Sequence, residues 1–124
     1  MAHDADVTRA VLEAGALCRH VGLRPDLQSR VTTAVSELAR NILKYAGRGV
    51  VYVEVVLGPR SPGIQIVAQD RGPGIADPES ALRDHFSTSG TLGLGLPGVR
   101  RLMDDFRLET KVGEGTRVTA VLWS

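Results

Sequence analysis

Cysteine is all but missing from this chain. Cys18 is the only one in 124 residues, so no internal disulfide can form, and the composition fits a reducing cytoplasm. The cysteine sits in an apolar helical pattern with Leu17 and Val21, which makes it a small core residue rather than a nucleophile. Aromatic residues make up only 4%. Charge of one sign is also lacking: fifteen Lys and Arg face fourteen Asp and Glu, for a formal net charge of +1. No global field recruits DNA or an anionic membrane. The only adjacent basic pair, Arg100-Arg101, falls inside a helical pattern without interleaved aromatics, so nucleic acid is not an expected partner. No apolar run approaches the ~20 residues that a membrane span needs. The start, Met1 to Asp6, is acidic and no apolar signal core follows. The three histidines, His3, His20 and His85, show no metal-ligand spacing.

What the chain does have is ordinary globular composition, 43% hydrophobic and 23% charged, at a length suited to one domain over residues 1–124. A first helix opens at Asp4 or Asp6, places Val7, Val11, Leu12, Ala16 and Leu17 on one face, and ends at Gly22. A second runs from Pro25-Asp26 to Gly47, with Val31, Ala34, Val35, Leu38, Ile42 and Tyr45 as a core-facing stripe. Val50 to Leu57 and Ile64 to Asp70 read as strands about a Gly58–Gly63 turn. From Arg71 to Pro97 the chain is loop-rich, interrupted by a short helix from Pro78 to His85. Pro97 to Asp105 reads as a third main helix. Phe106, Leu108, Thr110 and Val112 then alternate against Arg107, Glu109 and Lys111, and a Gly113-Glu114-Gly115 turn leads into a last strand, Thr116 to Trp123. The order α-α-β-β-loop-α-β-β predicts an α+β sandwich of one sheet under helices. A connection of some twenty residues is too long to be bland.

Four patterns carry chemistry. Glu37, Asn41 and Lys44 recur at four and three on one helical face. An acid, an amide oxygen and an amine along such a face suit a magnesium–phosphate site, although alone they are also an ordinary solvated face. Asp70-Arg71-Gly72-Pro73-Gly74 follows a strand directly. There the carboxylate can accept from an amino group such as adenine's while glycine backbone passes close to a planar ligand; alone it is also a plain turn. Ser87 to Gly98 is glycine-rich and feeds a helix start, where free N–H groups and the positive dipole end face phosphates. Its bland alternative is a lid with no ligand. Gly93, Gly95 and Gly98 also spell a dinucleotide fingerprint, but too little chain follows for the rest of a Rossmann domain, and no P-loop is present. Gly115-Thr116 opens the last strand and alone reads as a hairpin turn.

Together these segments resemble the GHKL (Bergerat) superfamily of ATPases and kinases in order and spacing over roughly residues 26 to 120. Glu37-Leu38-Ala39-Arg40-Asn41 resembles its N box, Asp70 to Gly74 its first glycine box, Gly93 to Gly98 its second, and Gly115-Thr116 its terminal motif. Within the superfamily, Ser36 to Ile42, Phe86 to Gly90 and Thr91 to Phe106 resemble the RsbT-type switch kinases, including the Leu96-Pro97-Gly98-Val99 run. Chains of that type usually open with a strand ahead of the first helix, whereas here the helical pattern begins almost at once.

The resemblance implies a two-layer sandwich in which a mixed, mostly antiparallel sheet is covered on one face by three main helices. It implies ATP and Mg²⁺ as cofactors, with Asn41 as the metal ligand and Glu37 as the base toward the acceptor serine. Asp70 would hold the adenine amino group with Thr116 assisting through water, Gly72 and Gly74 would line the purine slot, and Gly93, Gly95 and Leu96 would give amides to phosphates. Lys44 resembles a phosphate-binding lysine of sensor histidine kinases. The implied activity is serine/threonine phosphorylation of a STAS-domain partner in a bacterial stress module, with a serine phosphatase as a further binding partner. The other reading is a nucleotide-dependent binding module such as an anti-sigma factor.

Overall fold

The computed structural model describes residues 4–82 and 95–124. The elements are α1 (Asp4–His20), α2 (Pro25–Tyr45), β1 (Gly49–Leu57), β2 (Pro62–Asp70), α3 (Pro78–Ala81), α4 (Gly95–Leu102), β3 (Asp105–Lys111) and β4 (Gly115–Trp123). Both long helices stop for local reasons. After α1 the Leu23 amide reaches the Cys18 carbonyl at 3.0 Å, and Gly22 takes the left-handed conformation that this closure needs. After α2 the Ala46 and Gly47 amides both reach the Ile42 carbonyl. Pro25 opens α2, Asp26 sits in its first turn and Lys44 in its last, which matches the helix dipole at both ends.

The four strands pair in the order β1-β2-β4-β3. All three ladders are antiparallel, so the sheet expected to be mixed holds only antiparallel pairs among the described residues. Two are hairpins. The third brings β4 beside β2 across the long connection, so that the end of β2 lies next to the start of β4. Alternation along the strands sends Ile64, Ile66, Ala68, Val118, Ala120 and Leu122 into one core. There they meet Val31, Val35, Leu38 and Ile42 of α2, Ala14 and Cys18 of α1, and Val99 of α4. The α+β two-layer sandwich read from the element order is the fold observed. Burial pushes the Cys18 thiol up, against the opposing pull of the Arg19 charge, in keeping with a core residue rather than a thiolate nucleophile.

Several expectations need correction. Leu12 was placed on the buried face of α1 and is 67% exposed, and Ala16 is also outside; the buried positions there are Val7, Ala14, Gly15 and Cys18. Tyr45, taken as the end of the α2 stripe, is 53% exposed because the helix ends there and the sheet no longer covers it. Val112 lies past the end of β3 in the turn and is exposed. The third main helix begins two residues earlier than expected and ends at Leu102. Of the short helix expected from Pro78 to His85, Pro78–Ala81 is present and residues 83–85 lie outside the described residues.

Leu38→Ala, at a position 1% exposed in the centre of the core, is expected to cost about 2–5 kcal/mol of stability. Leu12→Ala is expected to stay within about 0.5 kcal/mol. Urea denaturation of both variants checks the pair; a costly Leu12→Ala would contradict the placement of α1.

Candidate functional site

Cross-strand register builds one side of the site. Gly49, Asp70, Thr116 and Thr110 lie opposite one another across all four strands. They form a single row at the edge of the core, polar at Asp70, Thr116 and Thr110, although their positions in the chain are scattered from 49 to 116. The carboxylate of Asp70 is half-buried, and its Oδ1 accepts the Gly72 amide at 2.8 Å. This turn holds the side chain still and leaves Oδ2 with its lone pairs. Thr116 lies beside Asp70 in register, and its Oγ1 is 2.9 Å from Oγ1 of Thr110.

The glycines after Asp70 are demanded by the protein's own packing. A Cβ at Gly72 would stand 2.6 Å from Cβ of Ala46, at the end of α2. Gly74 has a φ of 76°, and a side chain there would run into the backbone of Lys111. The loop is therefore pressed between the end of α2 and the β3–β4 hairpin, and the Gly113 amide bonds the Pro73 carbonyl at 2.9 Å.

Helix α2 builds the second side. Glu37 and Asn41 are half-buried one turn apart, flanking the buried Leu38 and Ile42. The Glu37 carboxylate accepts the Gly95 amide at 3.4 Å, at the first residue of α4. One helix thus touches the opening of α4 at Glu37 and the glycine loop at Ala46, nine residues and roughly 13–14 Å along its axis. Asn41 lies between the two contacts. Lys44 is exposed, with its ammonium 5.1 Å from the centroid of the Tyr45 ring. Gly95, with a φ of 64°, and Leu96 form the start of α4 and are half-buried; Gly93 lies outside the described residues.

The surface near this region is open. A depression of about 270 Å³ is lined by Asp70, Thr110, Gly115 and Thr116 among others. Another of about 620 Å³ lies on the outer rim, along Arg48, Tyr52, Asp70 and Arg71. Among the described residues neither reaches Glu37 or Asn41. The structure brings Asp70, Gly72 and Thr116 together, and Glu37 with Gly95, and links the two groups through α2. It does not join them in one enclosed cavity among the described residues. No group of three metal-binding side chains is present among them, and no helix among them is long and apolar enough to cross a membrane.

Thr110 was missed as a site residue. Its hydroxyl accepts the Ile75 amide at 2.9 Å and donates to the Gly115 carbonyl at 3.1 Å, besides meeting Thr116. In the sequence it was one more position on the inward face of a strand. The available signal was its distance of six from Thr116 around a short turn, which pairs the two in a hairpin.

A family model described as a histidine kinase-like ATPase domain matches residues 1–122. The serine/threonine-protein kinase RsbT of Bacillus subtilis (strain 168) is 54% identical over 96 residues, which is 77% of this chain and 72% of the relative. The anti-sigma F factor of Anoxybacillus flavithermus (strain DSM 21510 / WK1) is 29% identical over 103 residues, 77% of this chain and 69% of the relative. In fold, the chain is similar to the mycobacterial sensor histidine kinase MprB, with a TM-score of 0.60 at 21% identity, covering 96% of this chain and 93% of that one. The helix that spans from the start of α4 to the glycine loop, the row of Asp70, Thr116 and Thr110 at the sheet's end and these matches agree, and the chain belongs to the histidine kinase-like ATPase domain family, among the relatives of the serine/threonine-protein kinase RsbT.

Proposed function

We propose that this chain is an ATP-dependent protein serine/threonine kinase, acting as one nucleotide-binding unit over residues 1–124. In this reading it phosphorylates a serine or threonine of a STAS-domain partner in a cytoplasmic bacterial stress or signalling module, and binds a serine phosphatase as a further partner. The observation that carries the reading is the layout along α2, which meets the glycine loop after Asp70 at Ala46 and the start of α4 at Glu37, with Asn41 between the two contacts. The 54% identity to a kinase supports it. The 29% identity to an anti-sigma factor supports the second reading, a nucleotide-dependent binding module; the first is favoured because the nearer match bears the name of an enzyme.

The adenine amine would donate to Oδ2 of Asp70, while the amides of Gly93, Gly95 and Leu96, with Lys44, would receive the phosphates at the start of α4. Gly72 and Gly74 would line the purine slot. Asn41 and Glu37 offer hard oxygen donors one turn apart on a half-buried face, which suits Mg²⁺, an ion that takes one or two protein ligands and fills its shell from phosphates and water. Asn41 is the ligand in this assignment, and the ion would neutralise charge on the phosphate oxygens. Glu37 would take the proton from the acceptor hydroxyl as its oxygen bonds to the γ-phosphorus and the bond to ADP breaks. Its contact with the Gly95 amide, at 3.4 Å, is long for a hydrogen bond. A phosphate oxygen would displace it readily and free the carboxylate for the acceptor.

Asn41→Ala should abolish phosphoryl transfer with little loss of stability, and Glu37→Gln should lower transfer by about 10²–10⁴-fold while ATP affinity holds. The assay is phosphoserine formation on a STAS-domain protein, alongside thermal melting. Wild-type rates in Asn41→Ala would remove it as a metal ligand. A Glu37→Gln variant with lost affinity and unchanged turnover would make that residue structural.

The turn at Asp70 sharpens a second test. Asp70→Asn keeps an oxygen for the Gly72 amide but presents an NH₂ group to the base, so it should weaken ATP and strengthen GTP. In the wild type ATP should bind roughly 10–150-fold tighter than GTP, the equivalent of one charge-assisted hydrogen bond. Calorimetric titration of both nucleotides with Mg²⁺ measures this. Equal wild-type affinities would remove the adenine pocket from the reading.

A further inference from the structure

The face of the sheet turned away from the helices holds a depression to which phosphoryl transfer gives no role. Ile64, Ile66 and Ala68 point into the core, so Gln65, Val67 and Gln69 between and beside them lie on the opposite face. The β1–β2 register puts Val50 opposite Gln69 and Tyr52 opposite Val67, on that same outer face. The depression of about 620 Å³ on the outer rim is lined by Val50, Tyr52 and Gln69, and by Arg48 and Arg71 from the ends of the neighbouring turns. Tyr52 is 55% exposed and Val50 44%. Both arginines are exposed, and neither makes an ion pair among the described residues. The one acid in the lining is Asp70, and its Oδ1 already accepts the Gly72 amide.

This composition specifies an occupant. Two guanidinium groups with no acid paired to them form a local positive excess on a chain whose net charge is only +1, and a guanidinium fork matches a carboxylate in geometry. Tyrosine and arginine are also the side chains that most often anchor protein interfaces. The volume suits several side chains rather than one inorganic anion. A nucleic acid fits less well, because Glu54 and Glu109 are exposed on the same face and would repel a phosphate backbone. We propose that the depression docks an acidic segment of a partner protein, with Arg48 and Arg71 taking its carboxylates and Tyr52 packing against its apolar side chains. The site lies across the sheet from α2 and α4, so a partner held there leaves Glu37 and the start of α4 uncovered. The inference goes beyond the kinase reading and stands without it.

The test is fluorescence anisotropy of the full, nucleotide-free chain with a labelled peptide of Asp and Leu. Its Asn-for-Asp counterpart and a labelled oligothymidylate are the other arms, and inorganic phosphate is the competitor. The acidic peptide should bind, weaken as salt rises, and exceed both other probes about fivefold or more in affinity. Arg48→Glu, Arg71→Gln and Tyr52→Ala should each weaken it about fivefold or more. Arg60→Glu makes the same charge change as Arg48→Glu in the β1–β2 turn, and should stay within about twofold of the wild type. Thermal melting and MgATP titration check that Arg48→Glu and Tyr52→Ala fold and keep the wild-type nucleotide affinity. An acidic peptide that fails to bind, or that binds Arg48→Glu and Tyr52→Ala as it binds the wild type, would overturn the site. Equal losses in Arg60→Glu and Arg48→Glu would reduce it to net charge and overturn it too. Tighter binding of the oligothymidylate would replace the acidic partner with a nucleic acid, and full competition by phosphate at the peptide's own concentration would replace it with a single anion. A wild type that binds the peptide but not MgATP would sink the kinase reading and leave this site standing.

Discussion

The packing of α2 against the sheet is the contact on which the rest of the site depends. Leu38 and Ile42 are 1% and 3% exposed, and each lies next to a polar residue of the site, Glu37 and Asn41. The packed stripe fixes the helix backbone, and with it the points from which the half-buried Glu37 and Asn41 leave the helix. The helix also sets the distance between the two ends of the site. It meets α4 at Glu37 and the glycine loop at Ala46, and a rigid helix cannot shorten that span. A core that stabilises the fold thus also fixes the spacing of the two contacts that α2 makes.

The other end of the site is held by hydrogen bonds rather than by apolar burial. Antiparallel register aligns Gly49, Asp70, Thr116 and Thr110 in one row. The hydroxyl of Thr110 then ties β3 to β4 and to the loop at Ile75. Gly115 belongs to the same construction. Its φ is 124°, and a side chain there would collide with the backbone at Asp70, so only glycine lets β4 start so close to the end of β2. The glycines that mark the loop as a binding motif are, in three dimensions, the positions where the protein's own segments touch. Their spacing serves packing, since the loop is pressed flat against the end of α2 and the β3–β4 hairpin.

Much of this was legible in advance because it is local. A 3.6-residue period placed Val31, Ala34, Val35, Leu38 and Ile42 on one buried stripe, two-residue alternation placed Ile64, Ile66 and Ala68 on one face, and Gly22 and Gly47 marked the ends of helices. The errors fell where a local rule reaches the end of an element. Tyr45 continues the helical period, but the sheet does not extend beneath it. Val112 continues the strand alternation, but the chain has already turned. Leu12 is apolar and well placed for α1, yet α1 meets α2 and the sheet along the stripe of Val7, Ala14 and Cys18, leaving Leu12 outside. Apolar character states a preference for burial; only the neighbouring element supplies the cover.

The candidate site divides along the same line. By itself the sequence determined the element order, the residues sharing the face of α2 and the carboxylate at the end of a strand, because each follows from dihedral periodicity or from turn chemistry within a few residues. Which strands adjoin is not a local property. The antiparallel pairing of β2 with β4 sets Asp70 opposite Thr116 across forty-five intervening residues, and the β3–β4 register sets Thr110 opposite Thr116. Side-chain hydrogen bonds reach only about 3 Å. Whether a given hydroxyl serves as donor, acceptor or neither was therefore decided by tertiary structure alone, which brings distant segments within that reach.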